Sequence, residues 1–85
     1  MPTLVRAVFP GTFDPITLGH EDMLRRACAL FGEVIVAVAM AHHKKTLFTL
    51  DERLSITRQA LADMPKVRVE PFEGLVTEFS VAHHA

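Results

Sequence analysis

The residues best suited to chemistry lie in one short stretch, Val8–His20, which reads VFPGTFDPITLGH. It holds two threonines, an aspartate and a histidine among two glycines and two prolines. An apolar segment precedes the stretch and an amphipathic pattern follows it, so it joins a strand to the first turn of a helix. Free backbone N–H groups and the positive end of the helix dipole both point to such a place. The stretch therefore predicts a phosphate-binding loop.

His20 is the first candidate for a group that acts on a phosphate. With Thr17 as the N-cap, His20 is the third helical residue and points inward, beside the positive end of the dipole. Gly19 allows a phosphate to approach the backbone closely. A donor in this position could stabilise the charge that develops during phosphoryl or nucleotidyl transfer. The alternative is a histidine hydrogen-bonded within a helix N-terminus.

Lys44 is the second candidate, because it leaves the loop after the second predicted strand, at the same sheet edge as the first loop. A mobile ammonium there could follow charge between two phosphates. The alternative is a solvated lysine pair, and Lys45 is expected to be structural or to face solvent. Adjacent histidines rarely chelate one ion, and neither His42-His43 nor His83-His84 has carboxylates at ligand spacing, so no metal site is predicted.

Three further residues of the first loop have open roles. Thr12 sits in the turn after the first strand, which a threonine can stabilise. The ring of Phe13 is expected in the core. Asp14 is expected to brace the loop, with metal binding as the alternative.

Apolar periodicity predicts elements in the order β-α-β-α-β-α. The predicted strands are Leu4–Phe9, Glu33–Met40 and Lys66–Pro71, and the predicted helices are Leu18 to about Phe31, Leu50 to about Asp63, and Leu75–Ala82. The first strand ends at Pro10-Gly11, and Thr49 with Glu52 forms a capping box for the second helix. The first two strands are almost continuously apolar, as expected of strands covered on both faces, whereas the alternating third strand is expected to be less buried. Strands joined through helices imply an α/β fold with a parallel sheet and right-handed crossovers.

Composition limits the classes of protein to consider. The chain has 85 residues, 49% of them hydrophobic, which suits one small domain or part of one. The net charge of −1 gives no overall attraction to nucleic acid or membrane. Cys28 is the single cysteine and is expected in the core, and neither a leader nor a membrane-spanning segment is expected. A cytoplasmic protein is expected.

Pro10–His20 resembles the signature of the phosphopantetheine adenylyltransferases, of the nucleotidyltransferase superfamily with its (H/T)-x-G-H motif. The resemblance continues at Lys44-Lys45, Phe48–Arg53 and Phe72–Val76, in register over essentially the whole chain. It implies that residues 1–85 are the N-terminal part of a single Rossmann-like nucleotidyltransferase domain. It also implies transfer of AMP from ATP to 4′-phosphopantetheine, giving dephospho-coenzyme A and pyrophosphate, with Mg²⁺ and within a homohexamer.

The resemblance also implies roles for particular residues. His20 and Lys44 would be catalytic. Thr12, Phe13 and His20 would bind ATP, and Thr12, Lys44 and Val76 would bind phosphopantetheine. The family's Arg-Gly-x-Arg segment and its Ile-Ser-Ser-Thr helix start, which bind the nucleotide, are not in this sequence. The isolated chain is therefore expected to have little or no turnover. Its three strands grow in one direction without a reversal of order, so the first strand is expected to be an open edge and the isolated monomer to be poorly soluble.

Two alternatives stay open. One is a sister nucleotidyltransferase with another phosphorylated acceptor, although Thr17 in place of the first histidine, preceded by Pro15-Ile16, favours phosphopantetheine. The other is a non-catalytic binding or assembly module, because the Arg-rich half of the pocket is absent from these residues.

Overall fold

The structure is a computed structural model that describes residues 5–40, 45–74 and 79. Its elements, in chain order, are β1 (Arg6–Gly11), α1 (Leu18–Leu30), β2 (Glu33–Ala39), α2 (Leu50–Ala60) and β3 (Val67–Phe72). The predicted third helix, Leu75–Ala82, lies outside the described residues except for Phe79.

The three strands form one parallel sheet in the order β1-β2-β3. Arg6 lies opposite Glu33, and Val34 lies opposite Val67. This arrangement confirms the predicted α/β fold, in which each helix connects two neighbouring parallel strands. The carboxyl ends of the strands therefore lie at one edge, where the loops after β1 and β2 begin.

Element boundaries differ from prediction most clearly at β1, which includes Pro10 and Gly11 opposite Ala37 and Val38. Among the described strands β1 has β2 as its one neighbour. An edge strand supplies ladder donors on one side only, so proline is tolerated there. At its far end, α2 stops at Ala60 and is followed by a short turn, where prediction extended the helix to about Asp63.

Threonine side chains cap both helices, as predicted. Thr17 Oγ1 accepts the backbone N–H of His20 at 3.3 Å, and Thr49 Oγ1 accepts that of Glu52 at 3.2 Å. Glu52 completes its capping box by accepting the Thr49 N–H at 3.0 Å. These caps set where each helix starts, and α1 starts directly after the predicted phosphate loop.

The core lies between the two helices and one face of the sheet, where alternate residues of β2 are fully buried. Its most buried members are Leu24, Val34, Val36 and Val38. The opposite face of β2 is covered as well, since Ile35 and Ala37 are buried. On that face the rings of Phe72 and Phe79 lie 5.6 Å apart between centroids.

Burial confirms the predictions for β2 and β3 but not for β1. The side chains of β1 are half-buried, with Pro10 exposed, because β1 lies at an edge of the described sheet. Apolar residues at three- and four-residue spacing predict one apolar face for α1, made of Met23, Leu24, Ala27, Cys28, Leu30 and Phe31. That predicted face is too wide. Leu24 and Ala27 are buried, whereas Met23 and Leu30, seven residues apart and so on one side of the helix, are 43% and 79% exposed. Among the described helices, none has the length and apolar character that a membrane crossing requires.

Candidate active site

A strained residue shapes the loop between β1 and α1. Phe13 has a φ of 50°, in the left-handed region that bulky side chains rarely adopt. Its ring is buried in the core, as predicted, and Gly11 makes room for it, since a Cβ there would lie 3.0 Å from the ring. Such backbone strain persists only where surrounding contacts enforce it, and it is concentrated at functional sites.

Thr12 lies at the carboxyl end of β1 and is half-buried. Its carbonyl oxygen accepts a hydrogen bond from Arg53 Nη1 at 2.9 Å. This bond fixes the backbone of Thr12 beside the loop. The role of its hydroxyl remains a prediction.

His20 is held by its own helix end. Its Nδ1 accepts the backbone N–H of Thr17 at 3.1 Å, so histidine takes the place that Glu or Gln has in an ordinary capping box. The hydroxyl of Thr17 lies 3.1 Å from the same nitrogen. The ring is also packed against that of Phe13, with centroids 5.1 Å apart and an interplanar angle of 59°.

These contacts determine which nitrogen of His20 is available. Because Nδ1 accepts a hydrogen bond, the neutral ring carries its proton on Nε2. Among the described residues, Nε2 has no hydrogen-bond partner. The alternative role of His20, a hydrogen bond within the helix N-terminus, is therefore present, but it uses only Nδ1. The half-buried ring keeps an N–H donor at the start of α1, where the helix dipole favours an anion.

Asp14 braces the loop, as expected. Its Oδ1 accepts the N–H of Phe48 at 2.9 Å, and its Oδ2 accepts the N–H of Leu47. The carboxylate thereby ties the loop after β1 to the segment before α2. Among the described residues, no group of three or more His, Cys, Asp or Glu side chains could hold a metal ion.

Arg53 is the residue that sequence reasoning missed. It is 2% exposed, and its guanidinium donates to the carbonyl oxygens of Phe48, Thr12 and Ala39 at 3.2, 2.9 and 2.7 Å. A signal was present, because Arg53 precedes the inward-facing Thr57 by four residues and so lies on the buried side of α2.

Two other predicted site residues cannot be placed. Lys44 and Val76 lie outside the described residues, as do both histidine pairs. The meeting of His20 and Lys44 at one phosphate remains a prediction. Lys45 is exposed, as expected, and Cys28 is half-buried against the core.

Residues 8–85 match the sequence model of the family described as cytidylyltransferase-like. The chain is 74% identical over 78 residues to a phosphopantetheine adenylyltransferase of Acidovorax sp. (strain JS42), covering 92% of this chain and 47% of the relative. It is 57% identical over 76 residues to a protein of the same name from Thiobacillus denitrificans, covering 89% of this chain and 48% of the relative. The chain spans about half the length of the curated relatives it matches.

Proposed function

This chain belongs to the cytidylyltransferase-like family, and on that premise we propose that the protein containing it is a phosphopantetheine adenylyltransferase. It would transfer AMP from ATP to 4′-phosphopantetheine, releasing pyrophosphate and giving dephospho-coenzyme A. Relatives with 74% and 57% identity carry that name, which supports the substrates. The observation that carries the proposal is the state of His20, whose Nδ1 is occupied by Thr17 N–H while Nε2 remains a donor.

The reaction needs positioning and charge stabilisation more than covalent help from the protein. An oxygen of the acceptor's 4′-phosphate attacks the α-phosphorus of ATP, and the bond from that phosphorus to the pyrophosphate oxygen breaks. In this proposal the Nε2–H of His20 donates to an ATP phosphate oxygen as negative charge increases there. The ring does not need to turn, because Thr17 and Phe13 already hold it.

The remaining roles follow the resemblance, and that of Thr12 is supported by its place at the carboxyl end of β1. Thr12 would contact both phosphates from the end of β1, and the backbone of Phe13 would contact the nucleotide. Lys44 would accompany the charge from the attacking phosphate to the transferring one. Val76 would contact the pantetheine arm.

Magnesium would enter with ATP. The described residues offer no cluster for it, and both oxygens of Asp14 accept backbone N–H groups. Mg²⁺ is commonly held largely by substrate phosphates and water, and it would neutralise part of the phosphate charge.

A homohexamer is also proposed for the full-length protein, and a measurement of its mass in solution tests this.

The test is pyrophosphate release by the full-length protein with ATP and 4′-phosphopantetheine. Release that requires both substrates, with dephospho-coenzyme A as product, is expected. Parallel reactions replace ATP by CTP and phosphopantetheine by other phosphorylated acceptors. Turnover with another acceptor alone would establish the sister enzyme, and ligand binding with no turnover in any mixture would establish a binding module.

A further inference from the structure

Arg53 holds the peptide group between Thr12 and Phe13 in one orientation. Its buried Nη1 donates to the carbonyl oxygen of Thr12 at 2.9 Å and to that of Ala39, the last residue of β2, at 2.7 Å. A buried charge is unfavourable unless it is hydrogen-bonded, so the guanidinium favours the arrangement in which both oxygens face it. The Thr12 carbonyl is therefore directed at α2 and the end of β2.

The direction of this carbonyl determines where the N–H of Phe13 points. The peptide bond between Thr12 and Phe13 is trans, and in a planar trans peptide the C=O and N–H bonds point in opposite directions. The Phe13 N–H is thus directed away from the guanidinium. Within residues 5–40, 45–74 and 79, no atom accepts a hydrogen bond from it, although Phe13 is only 5% exposed. An unpaired backbone donor in a largely buried residue is rare, and it suits a place where a ligand supplies the acceptor.

The backbone of Phe13 shows that the loop would not adopt this orientation unaided. Its φ of 50° lies in the left-handed region, which is unfavourable for a phenylalanine. If the Thr12–Phe13 peptide plane rotated by half a turn, φ would move to the extended region while both Cα atoms stayed in place. Type I and type II turns differ by a rotation of this kind. The rotation would take the Thr12 oxygen away from Arg53, so the hydrogen bond from Arg53 opposes a local relaxation of the backbone.

The two orientations of the peptide present opposite groups to a phosphate. In the observed orientation, a donor comes from Phe13, whose ring packs against that of His20 at the start of α1. The dipole of α1 favours an anion at this end of the helix. In the rotated orientation, the carbonyl oxygen of Thr12 would take the place of the donor and would repel a phosphate oxygen.

We propose that Arg53 is a positioning residue, which keeps the N–H of Phe13 directed at a phosphate of the bound nucleotide. This inference rests on the function proposed above. The side chain of Arg53 does not need to touch the nucleotide, because it acts through the Thr12–Phe13 peptide group. Without the guanidinium the peptide would rotate, and the loop would lose one donor and gain one acceptor. The effect should therefore appear in the binding of ATP, before any catalytic step.

The test compares Arg53→Met with the wild type in the full-length protein. Methionine is unbranched and apolar, and it has no group that donates to the Thr12 carbonyl. Crystal structures of both proteins with ATP show the direction of that carbonyl. In the wild type we expect the Phe13 nitrogen within about 3.2 Å of a phosphate oxygen, and in Arg53→Met we expect the peptide to be rotated. Calorimetry should show a Kd for ATP about 10- to 100-fold higher in Arg53→Met, as expected when a hydrogen bond to a charged group is lost.

Two further variants separate this role from a general effect on stability. Arg53→Lys has an ammonium that can still donate to the Thr12 carbonyl, so it should keep the peptide orientation and recover most of the affinity for ATP. Arg58→Met is the matched control, because Arg58 lies on the same helix, is exposed, and donates to the Val69 carbonyl at 3.0 Å. It should leave the Kd for ATP within about twofold of the wild type. Thermal unfolding of each variant identifies losses that reflect unfolded protein.

The outcomes distinguish the two proposals. No pyrophosphate release by the wild type with ATP and phosphopantetheine refutes the proposed function. If the wild type is active, the positioning role alone is refuted by a folded Arg53→Met protein in which the peptide is not rotated. It is also refuted if ATP binds to the wild type without a phosphate oxygen at the Phe13 N–H. If Arg53→Met does not fold, Arg53→Gln decides by the same measurements, since its shorter side chain ends before the Thr12 oxygen.

Discussion

His20 Nδ1 accepts the backbone N–H of Thr17 at 3.1 Å, so one side chain both caps α1 and presents a donor to the site. In return, Thr17 Oγ1 accepts the His20 N–H at 3.3 Å. The partner that orients the imidazole is thus a backbone group three residues away. Within the part of the chain that the structure describes, the hydrogen bonds that orient the ring come from the start of α1.

The first prediction concerns the tautomer of His20. Because Nδ1 is an acceptor, the neutral ring should be protonated at Nε2. Long-range ¹H–¹⁵N NMR of the full-length protein should show the Nε2–H form for the neutral ring. A neutral ring protonated at Nδ1 would contradict both the capping box and the proposed donor.

The second prediction separates the two functions of His20. His20→Gln keeps a side chain that can complete the capping box but removes the imidazole donor. His20→Ala removes both, and should lower the free energy of unfolding by about 0.5–2 kcal/mol. Each variant should release pyrophosphate about 100- to 1,000-fold more slowly, the range found when a transition-state donor is lost.

Urea unfolding and the pyrophosphate assay together check this pair. The His20→Gln variant should be closer to the wild type in free energy of unfolding than His20→Ala is. Both variants should release pyrophosphate equally slowly. An unchanged rate in His20→Ala would remove His20 from the mechanism.

The third prediction compares two neighbouring lysines. Lys44→Ala should lower kcat by about 10- to 1,000-fold, because a charge-stabilising contact in the transition state is worth a few kcal/mol. Lys45→Ala should leave kcat within about twofold, since Lys45 is exposed and a surface substitution has a small effect. Steady-state kinetics with both substrates varied checks the pair. Equal losses from the two substitutions would point to the overall charge of the loop rather than to one ammonium.

The fourth prediction concerns Thr57, which is 0% exposed and whose Oγ1 has no hydrogen-bond partner among the described residues. Thr57→Val replaces the hydroxyl with a methyl group of similar size. It should raise the free energy of unfolding by about 1 kcal/mol, because a buried polar group without a partner is unfavourable. Thr57→Ser, which keeps the hydroxyl and removes the methyl group, should lower stability by about 1 kcal/mol.

Chemical unfolding of the two Thr57 variants beside the wild type measures both effects. A loss of stability in Thr57→Val would show that the hydroxyl makes a hydrogen bond in solution.

Sequence patterns predicted the α/β order, the parallel sheet and both helix caps, because these depend on residues close together in the chain. A threonine three residues before its bonding partner is visible in the sequence. Patterns were less successful where neighbours from other segments decide. Met23 and Leu30 were predicted on the apolar face of α1, but the sheet covers only the side that carries Leu24 and Ala27. The side chains of β1 are only half-buried despite its apolar sequence, because β1 lies at an edge of the described sheet.

The sequence alone determined that a threonine- and histidine-bearing loop would lie between a strand and a helix start, since local hydrogen bonds and apolar spacing specify it. Tertiary structure alone decided what holds that loop. Arg53 reaches Thr12 across 41 positions of the chain, and Asp14 reaches Phe48 across 34. Such contacts exist only once the helices have packed on the sheet, because burial there removes water and leaves buried backbone groups to pair with protein partners.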